Sequence, residues 1–212
     1  HTPATALTNF TLGANVTMDV QNNATLEIAN GITLTNNSTL LNIQTGGTLR
    51  IMGNGAVSTT PVNYLATTST LEYAGAGLKT STTIELPLVM PGSLVINKTA
   101  PIPTLALGSN TQINGTLTTQ AGSFDISGRT LQANGAIVFS GGSINASATA
   151  TLDIAGTGSI SGSIYLDDFS LREARPELDP QTAPIASVVD HENRRSVPVT
   201  SSNMTTSAAT LN

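Results

Sequence analysis

Cysteine is absent from the chain, which excludes disulfides, thiolate nucleophiles and Cys-ligated metals. Tryptophan is absent too, aromatics make up 3% and charged residues 10%. With only eight Lys and Arg and a net charge of −5, there is no basic stripe to hold a nucleic acid. His1 and His191 are the only histidines, one at the first position and one in a charged late segment, so a Ser–His–acid triad has nothing to stand on. No apolar run reaches the roughly 18 residues that a membrane-crossing helix needs.

What fills the space is Thr (34), Ser (20), Asn (18) and Gly (19). Ser, Thr and Asn compete for backbone hydrogen bonds, and Gly costs stability inside a helix. Thr on a pleated surface with Asn and Gly in turns suits many short strands. Composition then divides the chain. All 19 glycines lie at or before Gly162, and residues 167–212 carry 11 of the 21 charged residues in under a quarter of the length. Residues 1–166 read as a repeat domain. Residues 167–212, with Pro176, Pro180, Pro184 and Pro198, read as an extended arm or linker; their apolar islands "IASVV" (185–189) and "SVPVT" (196–200) have strand composition.

In 104–166 turn glycines recur at short intervals, mostly six or seven apart, too closely for ordinary hairpins. A longer period decides the matter. Leu105, Phe124, Ile144 and Ile164 are 19 or 20 apart, and Ile113, Leu131 and Leu152 run 18 and 21 apart. Earlier, "TLEI" at 25–28 returns as "TLRI" at 48–51. Three strands per lap describe an all-β parallel β-solenoid (β-helix) with coils of about 20 residues. One lap cannot bury its apolar face alone, so laps must repeat. Asn and Gly are expected at corners, Asn also in side-chain ladders along the axis. Residues 56–103, with Pro61, Pro87, Pro91, Pro101 and Pro103, break the rhythm and predict longer loops on one side. "LPLVM" (86–90) is either core or a contact surface.

The phrase from "STLEYAGAG" to "FSGGSI", about residues 69–145, resembles a repeat unit of large secreted surface proteins of Bacteroidota. Its elements are Tyr73, Glu85-Leu86-Pro87, Leu94 to Asn97, Ile113 to Thr118 and Gly122 to Gly135. The resemblance implies a right-handed β-solenoid on a cell surface, often exported by the type IX route. The C-terminal sorting domain usual for such cargo is not evident at 167–212. A further likeness, to filamentous-haemagglutinin coils, rests on residues 24–55.

The acids before residue 166 are Asp19, Glu27, Glu72, Glu85, Asp125 and Asp153. Asp125 falls one lap from Asn145 and Asp153 near Gln132, so no catalytic carboxylate pair is expected. No Gly-rich calcium loop occurs, Asp167-Asp168 read as solvated acids, and no cofactor or metal is expected. Asn-x-Ser/Thr occurs at Asn9, Asn15, Asn23, Asn36, Asn37, Asn97, Asn114, Asn145 and Asn203, as chance favours in so Asn- and Thr-rich a chain. The sequence therefore points to a structural or adhesive extracellular surface protein and not to an enzyme. It would be a filament subunit or part of a larger adhesin, self-associating head to tail or through the arm, with a surface glycan as a further partner. The alternative is a carbohydrate-active or carbohydrate-binding β-helix. An ice-binding face would need regular Thr-x-Thr rows, and "TLT" occurs only at 33–35 and 116–118.

Overall fold

A computed structural model describes residues 4–37, 40–100, 104–147, 149–155 and 160–161 apart from residue 7, with 4–6 as backbone only; beyond these it describes the backbone of strands Ile164–Leu166, Ser170–Glu173, Ile185–Asp190 and Arg195–Val199. The described residues contain strands and turns and no helix. Successive laps lie parallel and in register, which makes the molecule a β-solenoid. Its long face carries the strands Ala4–Ala6, Thr25–Ile28, Thr48–Met52, Thr70–Ala76, Ser93–Thr99, Leu117–Asp125, Ile137–Phe139 and Ile160–Ser161, each paired with the next. Two further faces complete each lap.

The register shows why the sequence folds this way. Leu26, Leu49, Leu71, Leu94, Leu117 and Ile137 occupy one inward row, and Ile28, Ile51, Tyr73 and Ile96 the next. All ten are buried. Alternate residues face out, as the pleat requires. "TLEI" and "TLRI" pair residue for residue, and "TLEY" at 70–73 continues the series. Leu105, Phe124 and Ile144 form one inward column as their spacing predicts; the side chain of Ile164 lies outside the described residues. The second expected column is corrected by two positions: Leu131 pairs with Leu152 but lies opposite Thr111, while Ile113 lies opposite Ala133. Thr111 and Ala133 fill inward positions that the spacing of the large apolar residues does not mark.

The coil is also longer than the spacing of the later laps suggests, through much of the chain. Partners on neighbouring strands of the long face stand 22 or 23 apart in sequence, from Ala4 opposite Leu26 to Leu94 opposite Leu117. The offset drops to 20 between Leu117 and Ile137. The lap shortens at a corner. Strand Leu117–Asp125 pairs first with Ser93–Thr99 and then, past a bulge, with Thr104–Ala106, so one strand covers two faces that the previous lap builds from two separate strands. Gly122, at φ 77°, lies in that strand between the two pairings. The inward rows pass through undisturbed.

Residues 56–103 do not leave the long face; their strands Thr70–Ala76 and Ser93–Thr99 keep its register. The change is on the other two faces. There the ladders Phe10–Leu12, Thr33–Asn36, Ala56–Thr59 and Thr17–Val20, Leu40–Ile43, Asn63–Tyr64 stop. New ladders start at Lys79–Thr80 and Val89–Met90 and run on through Thr104–Ala106 and Thr111–Ile113. Beyond Ile154, strand Ser170–Glu173 pairs with Thr151–Ile154. "IASVV" lies in strand Ile185–Asp190, parallel to Ile164–Leu166, and Ser196 to Val199 of "SVPVT" lie in the antiparallel Arg195–Val199, Thr200 being outside the described residues. Pro198 is on that outermost strand, where a missing N–H costs no ladder bond.

Candidate functional site: a buried carboxylate at the seam

Glu85 occupies the place where the side ladders break, and none of its surface reaches solvent. Ala56 and Thr60 donate backwards to Ile32 and Asn36, so the intervening Val57 N–H faces the next lap. A ladder would offer it a carbonyl. It meets the Glu85 carboxylate instead, at 3.0 Å to Oε1. Lys79 Nζ donates to the same oxygen at 2.9 Å and to the Gly55 carbonyl at 2.8 Å. Tyr73 OH donates to Oε2 at 3.0 Å, and Tyr64 OH to the Glu85 backbone carbonyl at 2.8 Å. The charge is thus paired and hydrogen-bonded, the condition under which a buried carboxylate persists.

Lys98, 1% exposed, adds a longer stitch. It lies opposite Gly75 in the long face, and its Nζ reaches past that lap to the Gly53 carbonyl at 3.0 Å. Gly75, at φ 72°, has no side chain, and a Cβ there would come within 3.2 Å of Met52 Cε. Burial, reinforced by the Lys79 charge, lowers the pKa of Lys98. Burial, reinforced by the Glu85 charge, raises those of Tyr64 and Tyr73 well above the ordinary phenol value, so both hydroxyls remain donors. The ionic groups at the seam therefore act as substitutes for backbone ladder bonds. Nothing about them is open to a substrate.

The remaining acids are placed apart. Glu27, Arg50 and Glu72 stand in one outward row; Arg50 bonds Glu72 at 2.7 Å and Glu27 at 3.5 Å, and Asn97 donates to Glu72 at 3.2 Å. The hydrogen bond that Arg50 donates to Glu72 raises the Arg50 pKa. Asp19 heads an amide ladder, accepting from Asn42 at 2.8 Å and Gln44 at 2.9 Å, while Asn63 donates on to Asn42 at 2.9 Å. Asp125 is beside Asn145 on the second face and Asp153 beside Gln132 on the third, as their spacing predicts. Asp125, Asp153 and Glu85 share no groove. No group of three or more metal-binding side chains occurs among the described residues. His1, His191, Asp167 and Asp168 lie outside the described residues. Of the Asn-x-Ser/Thr sites, Asn36 is buried and Asn114 accepts from Gln112 and Asn134.

"LPLVM" divides between its two readings. Leu86 and Met90 belong to the core, whereas Leu88 and Val89 are more than half exposed. The glycines also have two reasons, only one of them visible in sequence. Gly46 takes positive φ at a corner, but its neighbour Gly47 does not; a Cβ there would fall 2.4 Å from the Val20 carbonyl oxygen of the previous lap. Gly92, Gly115 and Gly135 stack in the same way, with a Cβ on Gly115 or Gly135 landing 2.6 Å or less from the backbone beneath. Close approach, more than conformational freedom, fixes glycine at these corners. The role of Glu85 was missed because nothing in "IELPL" distinguishes a surface acid from a buried one; the available signal was the pair of tyrosines, Tyr64 and Tyr73, in so aromatic-poor a chain.

No protein-family model matches the chain, no curated protein is significantly similar to it, and no solved structure matches it.

Proposed function

We propose that this chain is a structural or adhesive module of an extracellular surface protein, a rod-like unit of a filament or larger adhesin. One observation supports this reading above others. Outward polar side chains of successive laps bond to one another, as in Glu27–Arg50–Glu72–Asn97 and Asp19–Asn42–Asn63. Surface chemistry of that kind serves cohesion along the axis, and a scaffold needs little else. The bacterial and cell-surface part of the proposal rests on the resemblance of residues 69–145. Association end to end, through solenoid edges or residues 167–212, is the expected mode of assembly.

A glycan-binding reading has one observation in its favour. Gln112, Gln132 and Asp153 form a half-buried polar row on the third face, one residue per lap, with the spacing of adjacent strands. Electron microscopy of the purified full chain, together with turnover assays on a polysaccharide panel, tests the proposal. Rods joined end to end and no turnover are expected. Turnover abolished by Asp125→Asn or Asp153→Asn would overturn it in favour of an enzyme.

A further inference from the structure

Both side ladders end and restart at the same level. Strands Ala56–Thr59 and Asn63–Tyr64 close one set, and Lys79–Thr80 and Val89–Met90 open the next. The long face alone runs through, from Thr48–Met52 to Thr70–Ala76 to Ser93–Thr99. On the other two faces the described links across the gap are Val62 N–H to the Ile84 carbonyl, at 2.9 Å, and the side-chain bonds of Glu85, Lys79 and Tyr64, with Lys98 reaching Gly53 from the long face. Backbone strain collects here as well. Thr59, a β-branched residue, sits at φ 82° on the last residue of its ladder.

We infer that the solenoid consists of two separately cooperative segments, 4–64 and 93–154, joined at a hinge whose spine is the long sheet and whose clasp is Glu85. The inference rests on this geometry and is independent of the surface-protein reading. In a stack of laps, stability is the sum of lap terms and nearest-neighbour interfaces, so the weakest interface decides where the stack divides. Here backbone ladders on two faces give way to a few side-chain bonds converging on one carboxylate. When the clasp opens, the long sheet still holds the segments together. The edge of strand Ala56–Thr59, whose Val57 amide is otherwise covered by Glu85, is then uncovered.

Native-state hydrogen exchange on the full chain, followed by mass spectrometry at increasing urea, tests this directly. For the unmodified protein, peptides covering 26–43 and those covering 105–133 should follow two distinct exchange isotherms. A single isotherm shared by both would overturn the inference. Glu85→Ala should speed exchange of 56–64 and 79–90 by about tenfold or more, leaving 26–28 and 131–133 within about twofold. A uniform acceleration of every peptide, or none, would equally overturn it. If the variant does not fold, the two isotherms of the unmodified protein decide the matter alone.

Discussion

The laps before the seam and the laps after it solve the same problem with different corners. From Ala4 to Tyr64, the longer laps turn at all three corners, and side-chain amides reach between laps: Asn9 to Thr33, Asn30 to Asn54, Asn54 to Gly31. After Ser93, two faces fuse into the single strand Leu117–Asp125, and the long-face step shortens to 20 there, between Leu117 and Ile137, before returning to 23 between Ile137 and Ile160. The glycine column at 92, 115 and 135 carries the later corner. The inward row Leu26, Leu49, Leu71, Leu94, Leu117 and Ile137 runs through both parts in register, and the long face shifts register only at the bulge after Ile96. Lap length is thus a property of corners, and the core tolerates either value. What the core does not accommodate by itself is the switch of side ladders, and there the chain turns to buried charge.

By this contrast, the largest effect on stability should come from the seam. Glu85→Ala leaves the Lys79 ammonium buried without its counter-charge, and Val57 N–H and Tyr73 OH without an acceptor. It should cost about 3–5 kcal/mol in the opening free energy of 56–64 and 79–90, read by native-state hydrogen exchange. Replacing both members, as in Lys79→Met with Glu85→Gln, should recover most of that loss; no recovery would mean that the ion pair itself, and not the unpaired charge, matters. Nearly as large is the core. Ile144→Asp, in the column with Leu105 and Phe124, should cost about 3–4 kcal/mol in urea-induced unfolding of the later segment.

The corners provide the next contrast. Gly115→Ala sets a Cβ against Gly92 backbone and should cost about 2 kcal/mol or more, whereas Gly77→Ala, with open space around it but φ 96°, should cost about 1 kcal/mol. Equal effects would remove the distinction between close approach and backbone conformation.

The seam should also show in the alkaline limb of the stability curve. Tyr64 and Tyr73 have folded pKa values above the ordinary 10.0, so above about pH 10 the unfolded chain releases protons that the folded one keeps, and stability falls. Lys98 acts the other way: its folded pKa is below 10.5, so its own contribution rises as pH approaches that value. Two tyrosines outweigh one lysine. Melting temperatures measured from about pH 9 to about pH 11.5 should fall, and the double variant Tyr64→Phe, Tyr73→Phe should flatten that fall. The smallest effect is expected on the outward row, where Arg50 is a third exposed: Arg50→Met should cost about 0.5–1 kcal/mol, less at high salt.

The parts legible in the sequence are those that repeat. "TLEI" against "TLRI" gives the register of the long face outright, and the steps of 19 and 20 from Leu105 to Phe124 to Ile144 give the later laps. Amide ladders along the axis were foreseeable from the abundance of Asn, and Asn42–Asn63, on strands, and Asn114–Asn134, just past strand ends, are such rungs. The seam was not legible, because it happens once. Prolines at 87 and 91 signal that strands end, without saying which ladders restart or that Glu85 faces inward. The misplaced partner of Ile113 has a related cause: Ala133 and Thr111 are inward at 1% and 4% exposure, although neither looks like core in isolation.

Parallel, in-register laps with a long face continuous across the seam underlie everything else in this fold, and the absence of native cysteine allows a clean check by engineered disulfides. Thr25→Cys/Thr48→Cys joins two laps within the first segment, and Thr48→Cys/Thr70→Cys joins laps at the seam. Partner Cα atoms on adjacent strands are about 5 Å apart, within disulfide reach, whereas Thr48→Cys/Ser93→Cys spans two laps, roughly 10 Å, and is out of reach. Oxidation should close the first two pairs and leave the third as free thiols. Failure of both adjacent pairs, or closure of the two-lap pair alone, would contradict the solenoid register.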